Sequence, residues 1–422
     1  MIVAHILTDV VSSKLDYVLD YIFVHTLGLE YIVTTDITAF SASPHKIKIN
    51  YTTEELEGVL SIQNSAYFTA FDYETIPEIE SVLEFKNGTT NFDLYAGIFF
   101  LLARVEEYSS PDVDEHGRYL SSASQLAIKG WLELPVVDIW LHKLVTQLDL
   151  LFGLSIKRPE YCATSTIDVD HIYAYKGKPA WQSFATFTRD ILTLQGEKLK
   201  ARLGQDPFDK YQEMIEVNAQ YGFNPIFFVL TSAKAKYDRS LPPDNPHFIG
   251  VIKQLSKHHQ VTIHPSYASN DSQGQLEKEV HTLASIIGKP IYQSRQHYLR
   301  LSLPHTYRRL ITCGLSEDHT MGYADTIGFR AGTSRPFFWY DLEKDVRTTL
   351  KVIPFCLMDV TLRKYKKLQP SEAIEHLKPV IQQLKKVGGH CSFIWHNSSY
   401  YAAEGWAGWD KVYSQLLQIA RP

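Results

Sequence analysis

Two patterns of hydrophobic and polar residues divide the chain. In its first part, short apolar segments typical of strands are mixed with longer stretches whose apolar residues recur every three or four positions, as in helices. The pattern predicts strands at residues 31–34 and 46–49, and helices at residues 92–108 and 135–148. The polar residues 109–119 between these helices predict a surface loop.

From residue 161 onwards, apolar strands alternate with helical stretches. The predicted strands are residues 161–170, 225–230, 260–264, 291–295, 328–330, 352–358 and 391–396. The predicted helices are residues 208–221, 247–258, 276–287 and 371–386. This alternation is typical of a parallel sheet, and the number of repeated units favours a barrel over an open sheet. The polar residues 157–160 predict a boundary between a smaller α/β domain at residues 1–157 and a barrel domain at residues 158–422.

The composition is that of an ordinary globular protein. Of the 422 residues, 45% are hydrophobic and 21% are charged, which excludes a disordered, collagenous or coiled-coil chain. The net charge is −5, and the chain has no long basic run. Because phosphate binding requires a concentrated positive surface, nucleic acid is excluded as the main partner.

The cysteines and the N-terminus indicate a cellular compartment. Cys162, Cys313, Cys356 and Cys391 are far apart and lack CxxC spacing, which predicts free thiols in a reducing compartment. The N-terminus carries acidic residues and lacks the basic segment of a signal peptide. No apolar run approaches the roughly 18–20 residues that a membrane span needs. We therefore predict a cytoplasmic protein without a membrane span.

Two carboxylates lie where the first strand of the barrel ends. Asp168 and Asp170 share one face of the strand and stand about 7 Å apart along the backbone. In parallel barrels, reactive side chains gather at the carboxyl ends of the strands. Two anions there require a cation or a shared proton to compensate them. The alternative is a pair of loop aspartates that cap the next helix.

Three further strand ends carry candidate groups for the same site. His264 precedes Pro265, which ends its strand, and a neutral imidazole there suits a divalent ion. Arg295 can orient a carboxylate through paired hydrogen bonds. His396 is a candidate general acid, because the pKa of an imidazole lies near neutral pH. Each histidine also fits a simpler role as a buried hydrogen-bonding group.

These strand ends resemble the motifs of the polysaccharide deacetylase superfamily, the NodB-type carbohydrate esterases, over residues 161–400. The segments that carry the resemblance are Thr166-Ile167-Asp168-Val169-Asp170, Ile226-Phe227-Phe228-Val229-Leu230, His264-Pro265-Ser266-Tyr267-Ala268, Arg295-Gln296-His297-Tyr298 and Phe393-Ile394-Trp395-His396-Asn397. All five occur in the order of the family. The resemblance implies a distorted (β/α) barrel of about seven strands and a metal-dependent hydrolase that removes N- or O-acetyl groups from a carbohydrate.

The resemblance also implies roles for individual residues. Asp168 would be the catalytic base, and Asp170 and His264 would be metal ligands. His396 would protonate the departing amine, and Arg295 would keep Asp168 ionised. The expected cofactor is one divalent ion, with zinc as the first candidate and cobalt, nickel and manganese as the others. The expected partner is an acetylated oligosaccharide or polysaccharide, or a glycan precursor.

The metal-binding motif is incomplete, because Ala268 stands where the family has its second histidine. His297 from the neighbouring strand is our candidate for the missing ligand. Two alternatives stay open. Asp168 and Asp170 together with His264 form another three-ligand set, which leaves a position for water. A protein that has lost its metal would be a non-catalytic carbohydrate-binding or assembly protein. A deacylase acting on a non-sugar amide is a further enzymatic alternative.

Several other residues are candidates for binding or positioning. Arg330 lies between glycines that permit close backbone approach, and it is expected to contact substrate with Tyr298 and Trp395. Asp318 or Asp325 is expected to orient Arg295 or His396. The polar segments 104–108 and 116–119 of the N-terminal part are expected to help frame a cleft.

Overall fold

The computed structural model describes residues 2–109, 112–179, 188, 191–193, 196–232 and 234–422. Its strands are β1 Val3–Thr8, β2 Glu30–Thr34, β3 Ile47–Tyr51, β4 Leu60–Ser61, β5 Phe85–Lys86, β6 Thr89–Thr90, β7 Cys162–Val169, β8 Ile226–Leu230, β9 Gln260–His264, β10 Gln293–Ser294, β11 Glu317–Asp318, β12 Phe337–Asp341, β13 Val346–Val352, β14 Leu357–Met358 and β15 His390–His396.

The α-helices among the described residues are α1 Ser13–Leu19, α2 Ile37–Ala42, α3 Leu94–Leu102, α4 Glu106–Ser109, α5 Gln125–Ile128, α6 Val136–Phe152, α7 Gly196–Leu203, α8 Tyr211–Gln220, α9 Pro246–Leu255, α10 Gln273–Ile287, α11 His305–Thr312, α12 Pro370–Val387 and α13 Trp409–Ala420. Shorter 3₁₀ or π-helical turns are Asp20–Thr26, Ser121–Ala123, Ala268–Asn270, His297–Leu299, Thr361–Tyr365, Asn397–Tyr400 and Ala402–Glu404. None of the described helices is long and apolar enough to cross a membrane.

The first sheet lies within residues 3–90 and has the strand order β2-β1-β3-β4-β6-β5. Its pairs are parallel except for the terminal hairpin of β5 and β6. Strand β1 reads Val-Ala-His-Ile-Leu-Thr, and five of its six residues are buried. Such continuous burial is typical of a central parallel strand that is covered on both faces.

The second sheet has the order β12-β13-β11-β10-β9-β8-β7-β15-β14. Eight of these strands run parallel, and β12 pairs antiparallel with β13 at one edge. The sheet thus has nine strands among the described residues, where the sequence predicted about seven. The mixed α/β class and a curled sheet agree with the prediction.

The length of one connection shows why the second sheet must curl. Strands β13 and β14 are seven strand intervals apart in the sheet order, which would be about 34 Å across a flat sheet. Only residues 353–356 connect them, and five Cα steps span at most about 18 Å. The two ends of the sheet therefore approach each other, as in a barrel. Strand β12 and strand β14 share no hydrogen-bonded pairing in the described part of the chain, so the sheet is not closed.

Most predicted elements agree with the structure within a few residues, and three do not. The helix predicted at residues 92–108 is divided into α3 and α4 by a turn in which Arg104 has φ +56°. Residues 328–330 form a turn instead of a strand. Gly328 has φ +130°, and a side chain there would meet the backbone oxygen of Leu132 at 2.3 Å. The glycine thus permits close approach to another part of the chain. Residues 352–358, predicted as one strand, contain the end of β13 and the separate strand β14.

A buried charge cluster joins the N-terminal part of the chain to the curled sheet. Arg104 and Arg330 are at most 1% exposed. Arg104 donates through Nε to Glu107 Oε1 at 2.7 Å, and Arg330 donates through Nη2 to Glu107 Oε2 at 2.6 Å. Arg104 Nη2 also donates to Glu106 Oε1 at 2.7 Å. Burial raises the pKa of Glu107, but Arg330 and Arg104 outweigh it and lower that pKa below its ordinary value.

Replacing Glu107 with glutamine should destabilise the protein strongly. The Glu107→Gln variant leaves two buried guanidinium groups without their shared carboxylate, which we expect to lower the free energy of unfolding by about 3–5 kcal/mol. Urea denaturation at pH 7 measures the change. Because folding depresses the pKa of Glu107, its contribution is present above the ordinary value of 4.5 and is lost as pH falls further. The difference between the two proteins should therefore shrink in acid.

The matched control is Glu160→Gln. Its partner is Lys157, and the two side chains are 83% and 84% exposed, so this variant should unfold near the wild-type urea concentration. Unfolding of Glu107→Gln at the wild-type concentration would show that the buried cluster contributes nothing to stability.

Candidate active site

Strand register brings the predicted groups together at one end of the curled sheet. His396 at the end of β15 lies opposite Asp168 on β7, and His264 at the end of β9 lies opposite Leu230 on β8. Pro265 follows His264 and ends that strand. Because parallel strands end at one rim, side chains from separate strands converge there.

Asp170, His264 and His297 form a group that can hold a metal ion. Their ligand atoms all lie within 4.8 Å of one another. Asp170 Oδ1 is 3.3 Å from His264 Nε2 and 3.6 Å from His297 Nε2. This oxygen is buried and has no hydrogen-bond partner among the described residues. A carboxylate oxygen and two imidazole nitrogens form a donor set suited to zinc and related divalent ions.

The other nitrogen of each imidazole is held by a protein acceptor. His297 Nδ1 donates to Asp238 Oδ1 at 2.8 Å, and His264 Nδ1 donates to the carbonyl oxygen of Arg295. These bonds leave Nε2 of both rings directed at Asp170. Such hydrogen bonds are typical of metal-binding histidines, because they fix the tautomer and the ring orientation.

The metal-binding group of Asp170, His264 and His297 is the centre of the candidate site. Its imidazoles and carboxylates, and those around it, shift each other's pKa values. Burial raises the pKa of Asp170, but positive charge on His297, His264 and His396 would outweigh this effect and hold the pKa well below its usual range. Burial lowers the pKa of His264, but Asp168 and Asp170 outweigh that effect and raise it. The carboxylates and the imidazoles of the centre therefore stabilise each other's charged forms.

Arg295 fixes the orientation of Asp168. The guanidinium is fully buried and donates through Nη1 to Asp168 Oδ1 at 2.8 Å. It also donates through Nε to the carbonyl oxygen of His319 at 3.0 Å, and it packs 4.3 Å from the ring centre of Phe228. With Oδ1 held in this way, Asp168 Oδ2 lies 3.9 Å from His264 Nε2.

His396 approaches the centre from another side. Its Nε2 lies 3.8 Å from Asp170 Oδ2, and its Nδ1 donates to Asp359 Oδ1 at 2.7 Å. The backbone N–H of His396 donates to Asp359 Oδ2 at 2.8 Å. Burial lowers the pKa of His396, but Asp359 outweighs it and raises the pKa to about 10.

The structure assigns the orienting contact of His396 to Asp359, which the sequence analysis missed. Asp318 instead accepts hydrogen bonds from Ser294 and Thr320, and Asp325 accepts one from Ser121. The signal for Asp359 was its position directly after a strand end. The predicted strand at residues 352–358 ends at the same place as β14, so this signal was present in the sequence. Asp238 was also missed, since it follows the end of β8 by eight residues.

Tyr298 is the predicted substrate contact that lies beside the metal-binding group. Its ring centre is 4.8 Å from that of His297, and its backbone has φ +61°, which is uncommon for a residue with a side chain. Tyr298 belongs to a cluster of rings with His116, Tyr237 and Tyr267. His116 comes from the segment 116–119 in the N-terminal part of the chain.

Two predicted substrate contacts lie in the interior. Trp395 is fully buried and stacks on Tyr413 with 4.8 Å between ring centres, because its side chain points to the opposite face of β15 from His396. That position does not suit a substrate contact. Arg330 has its charge compensated by Glu107 and reaches only the wall of a cavity.

The N-terminal part of the chain matches a known family model. A family model described as a family of unknown function (DUF7033) matches residues 4–153. A search of curated proteins finds no match.

Solved structures that match this chain share little sequence with it. A Mycobacterium smegmatis protein assigned as a polysaccharide deacetylase is 14% identical, with a TM-score of 0.39, over 63% of this chain and 86% of that one. A Bacillus cereus polysaccharide deacetylase is 12% identical, with a TM-score of 0.31, over 62% and 87% of the two chains. A mutant of a CE4-family pseudoenzyme with restored activity is 11% identical, with a TM-score of 0.29, over 64% and 69%. At such low TM-scores, these structures do not indicate the chemistry of the site, which follows from the geometry of its own residues.

Substitution of either histidine should remove a bound metal. Purified protein dialysed against zinc is expected to retain about one ion per chain, measured by inductively coupled plasma mass spectrometry. His264→Ala and His297→Ala each remove one of three ligands, so both should lose most of the metal. The exposed helical residue His281 supplies the control His281→Ala, which should retain it.

Asp168→Asn separates the two possible ligand sets. With Asp170, His264 and His297 as ligands, this variant keeps its zinc. Loss of zinc from Asp168→Asn together with retention in His297→Ala would contradict that set and favour two aspartates with His264.

Proposed function

We propose that this protein is a metal-dependent hydrolase that removes N- or O-acetyl groups from a carbohydrate. The observation that carries the proposal is the convergence of five side chains on one centre. Asp170, His264 and His297 form the metal-binding group. Asp168 Oδ2 and His396 Nε2 are directed towards this group. This pairing of a carboxylate with an imidazole around a metal group supplies a base and an acid for hydrolysis.

Asp168 is the proposed general base. A divalent ion at the centre would polarise the acetyl carbonyl and lower the pKa of water. Asp168 Oδ2 accepts a proton from the attacking water, while Arg295 holds Oδ1 at 2.8 Å. The hydrogen bond from the guanidinium fixes the orientation of the carboxyl group, so Oδ2 is placed to accept that proton.

His396 is the proposed general acid, and Asp359 is its positioning residue. Because Nδ1 donates to Asp359, the proton on Nε2 is directed at the centre. His396 delivers this proton to the departing amine or alcohol, which releases acetate and the free sugar group. No serine or cysteine nucleophile is required, because water attacks directly.

Ring faces beside the centre support a carbohydrate as the substrate. Tyr237 and Tyr267 are stacked with 4.2 Å between ring centres, and Tyr298 contacts both rings as well as His297. Aromatic rings that combine a flat apolar face with a polar tip are suited to sugar rings. We propose Tyr298 as a substrate contact, and an acetylated oligosaccharide or polysaccharide, or a glycan precursor, as the substrate.

Membership of the polysaccharide deacetylase superfamily is part of this proposal. It is supported by the five motifs in order along residues 161–400 and by the strand ends to which they map. The departure at Ala268 is compensated by His297, whose Nε2 lies 3.6 Å from Asp170. We also retain the boundary between residues 157 and 158 as a proposal.

A reducing compartment is supported by the cysteines. Cys162, Cys313, Cys356 and Cys391 are all free, and free thiols are typical of proteins in such compartments. We therefore propose a cytoplasmic location, where the substrate would be a glycan or a glycan precursor during its synthesis.

Asp168→Asn should nearly abolish hydrolysis. Wild-type protein with zinc is expected to release acetate from acetylated oligosaccharides, and loss of the base should lower kcat by at least about a hundredfold. Asp244→Asn, at an exposed position, is the control and should keep wild-type kcat. Full activity of Asp168→Asn would exclude Asp168 as the base. Absence of acetate release by zinc-loaded wild type would favour a non-catalytic carbohydrate-binding protein, and faster release from simple amides would favour a non-sugar deacylase.

Asp359→Asn tests the proposed general acid through the leaving group. The amide cannot hold the His396 proton in the same way, so kcat for an N-acetyl sugar should fall about a hundredfold. An activated acetate ester needs no protonation of its leaving group, so its kcat should fall much less. An equal loss on both substrates would indicate a purely structural role for Asp359.

A further inference from the structure

A cavity of about 290 Å³ lies beside the proposed active site. One wall comes from the loop at residues 114–120 of the N-terminal part, and the other comes from turns that follow β10 and β11. Its volume is just below the range of about 300–1,000 Å³ that is typical of small-molecule pockets, so it suits one small unit of a larger ligand.

The cavity and the proposed active site share a wall. Leu299 lines the cavity and follows the metal-binding residue His297 by two positions. Leu299 also belongs to a small buried apolar cluster with Ile394, which lies two positions before His396. Arg118 of the cavity donates through Nη1 to the carbonyl oxygen of Tyr298 at 3.2 Å. A ligand in the cavity would therefore be adjacent to a substrate group that is bound at the metal-binding residues.

The charges of the cavity disfavour an anionic ligand. Arg118 pairs with Asp114 at 2.6 Å, and Arg330 pairs with Glu107 at 2.6 Å. Both guanidinium groups that line the cavity are thus already compensated. The lining also includes the carboxylates of Glu115 and Asp325, which would repel a phosphate, sulfate or uronate group.

The lining of the cavity includes the polar side chains of Tyr323 and Asp325. Tyr323 is 2% exposed, and its hydroxyl has no hydrogen-bond partner among the described residues. A buried polar group without a partner is costly, and Tyr323 also lines the cavity, so a hydroxyl group of a ligand there could supply the missing hydrogen bond. Asp325 accepts a hydrogen bond from Ser121 through Oδ2, and its Oδ1 can accept one from a sugar hydroxyl.

We propose that this cavity binds a neutral sugar unit of the same glycan, next to the unit that carries the acetyl group. This inference rests on the proposed function. It assigns the loop at residues 114–120 a role in substrate selection and makes Tyr323 a residue that distinguishes an oligosaccharide from a single sugar.

The test measures binding without turnover, by calorimetry on the full-length, zinc-loaded Asp168→Asn protein. The probes are N-acetylglucosamine, its tetramer and a uronic acid tetramer. We expect the N-acetylglucosamine tetramer to bind at least about tenfold more tightly than the monomer and more tightly than the uronic acid tetramer. Adding Tyr323→Phe removes one hydrogen-bonding group and should raise the Kd of the N-acetylglucosamine tetramer about three- to tenfold.

The matched control is Tyr95→Phe in the same background. Tyr95 is fully buried, and its hydroxyl also lacks a partner among the described residues, but it does not line the cavity. Its loss should leave the Kd of the tetramer unchanged. Equal Kd values for Tyr323→Phe and the parent, tighter binding of the uronic acid tetramer, or no binding of the N-acetylglucosamine tetramer would overturn the inference.

Acetate release by the wild-type protein from the N-acetylglucosamine tetramer separates this inference from the proposed function. Release of acetate with no effect of Tyr323→Phe on binding would overturn the subsite and support the hydrolase. No acetate release, with the expected effect of Tyr323→Phe on binding, would overturn the hydrolase and support the sugar subsite.

Discussion

The candidate site depends on the compensation of one buried carboxylate oxygen. Asp170 Oδ1 faces two imidazole nitrogens at 3.3 and 3.6 Å and has no hydrogen bond among the described residues. An anion in such surroundings is stable only when a cation or a proton balances it. A metal ion would satisfy this requirement and would also explain why both imidazoles present Nε2. The hydrogen bonds of His297 to Asp238 and of His264 to the carbonyl oxygen of Arg295 would then hold two ligands for one ion.

The curled sheet makes this compensation possible by bringing separate strand ends to one rim. The sequence predicted much of this arrangement, because a strand end is recognisable where an apolar run stops at a polar residue or a proline. His264 before Pro265 and His396 after an apolar run are examples. Period-two alternation also placed Asp168 and Asp170 on one face of their strand. The proposal that His297 replaces the missing family histidine agrees with the proximity of its Nε2 to Asp170.

The remaining features depend on packing between segments that are distant in the sequence. Asp359 could not be assigned to His396, since the two residues are 37 positions apart and their pairing follows from the adjacency of β14 and β15. Trp395 was misjudged because residues next to each other in a strand face opposite sides, so its neighbour His396 takes the rim and Trp395 takes the core. Arg330 was judged from its flanking glycines, while its position follows from Glu107, 223 residues earlier in the chain.

The salt bridge between Glu107 and Arg330 has a consequence for how the protein is assembled. Each of the two residues lies in the interior, and each comes from a different part of the chain. A fragment that begins after residue 157 would keep the guanidinium of Arg330 and lose its counterion, so a positive charge would be left within an apolar core. The C-terminal part therefore relies on the first part for the counterion of one of its buried cations.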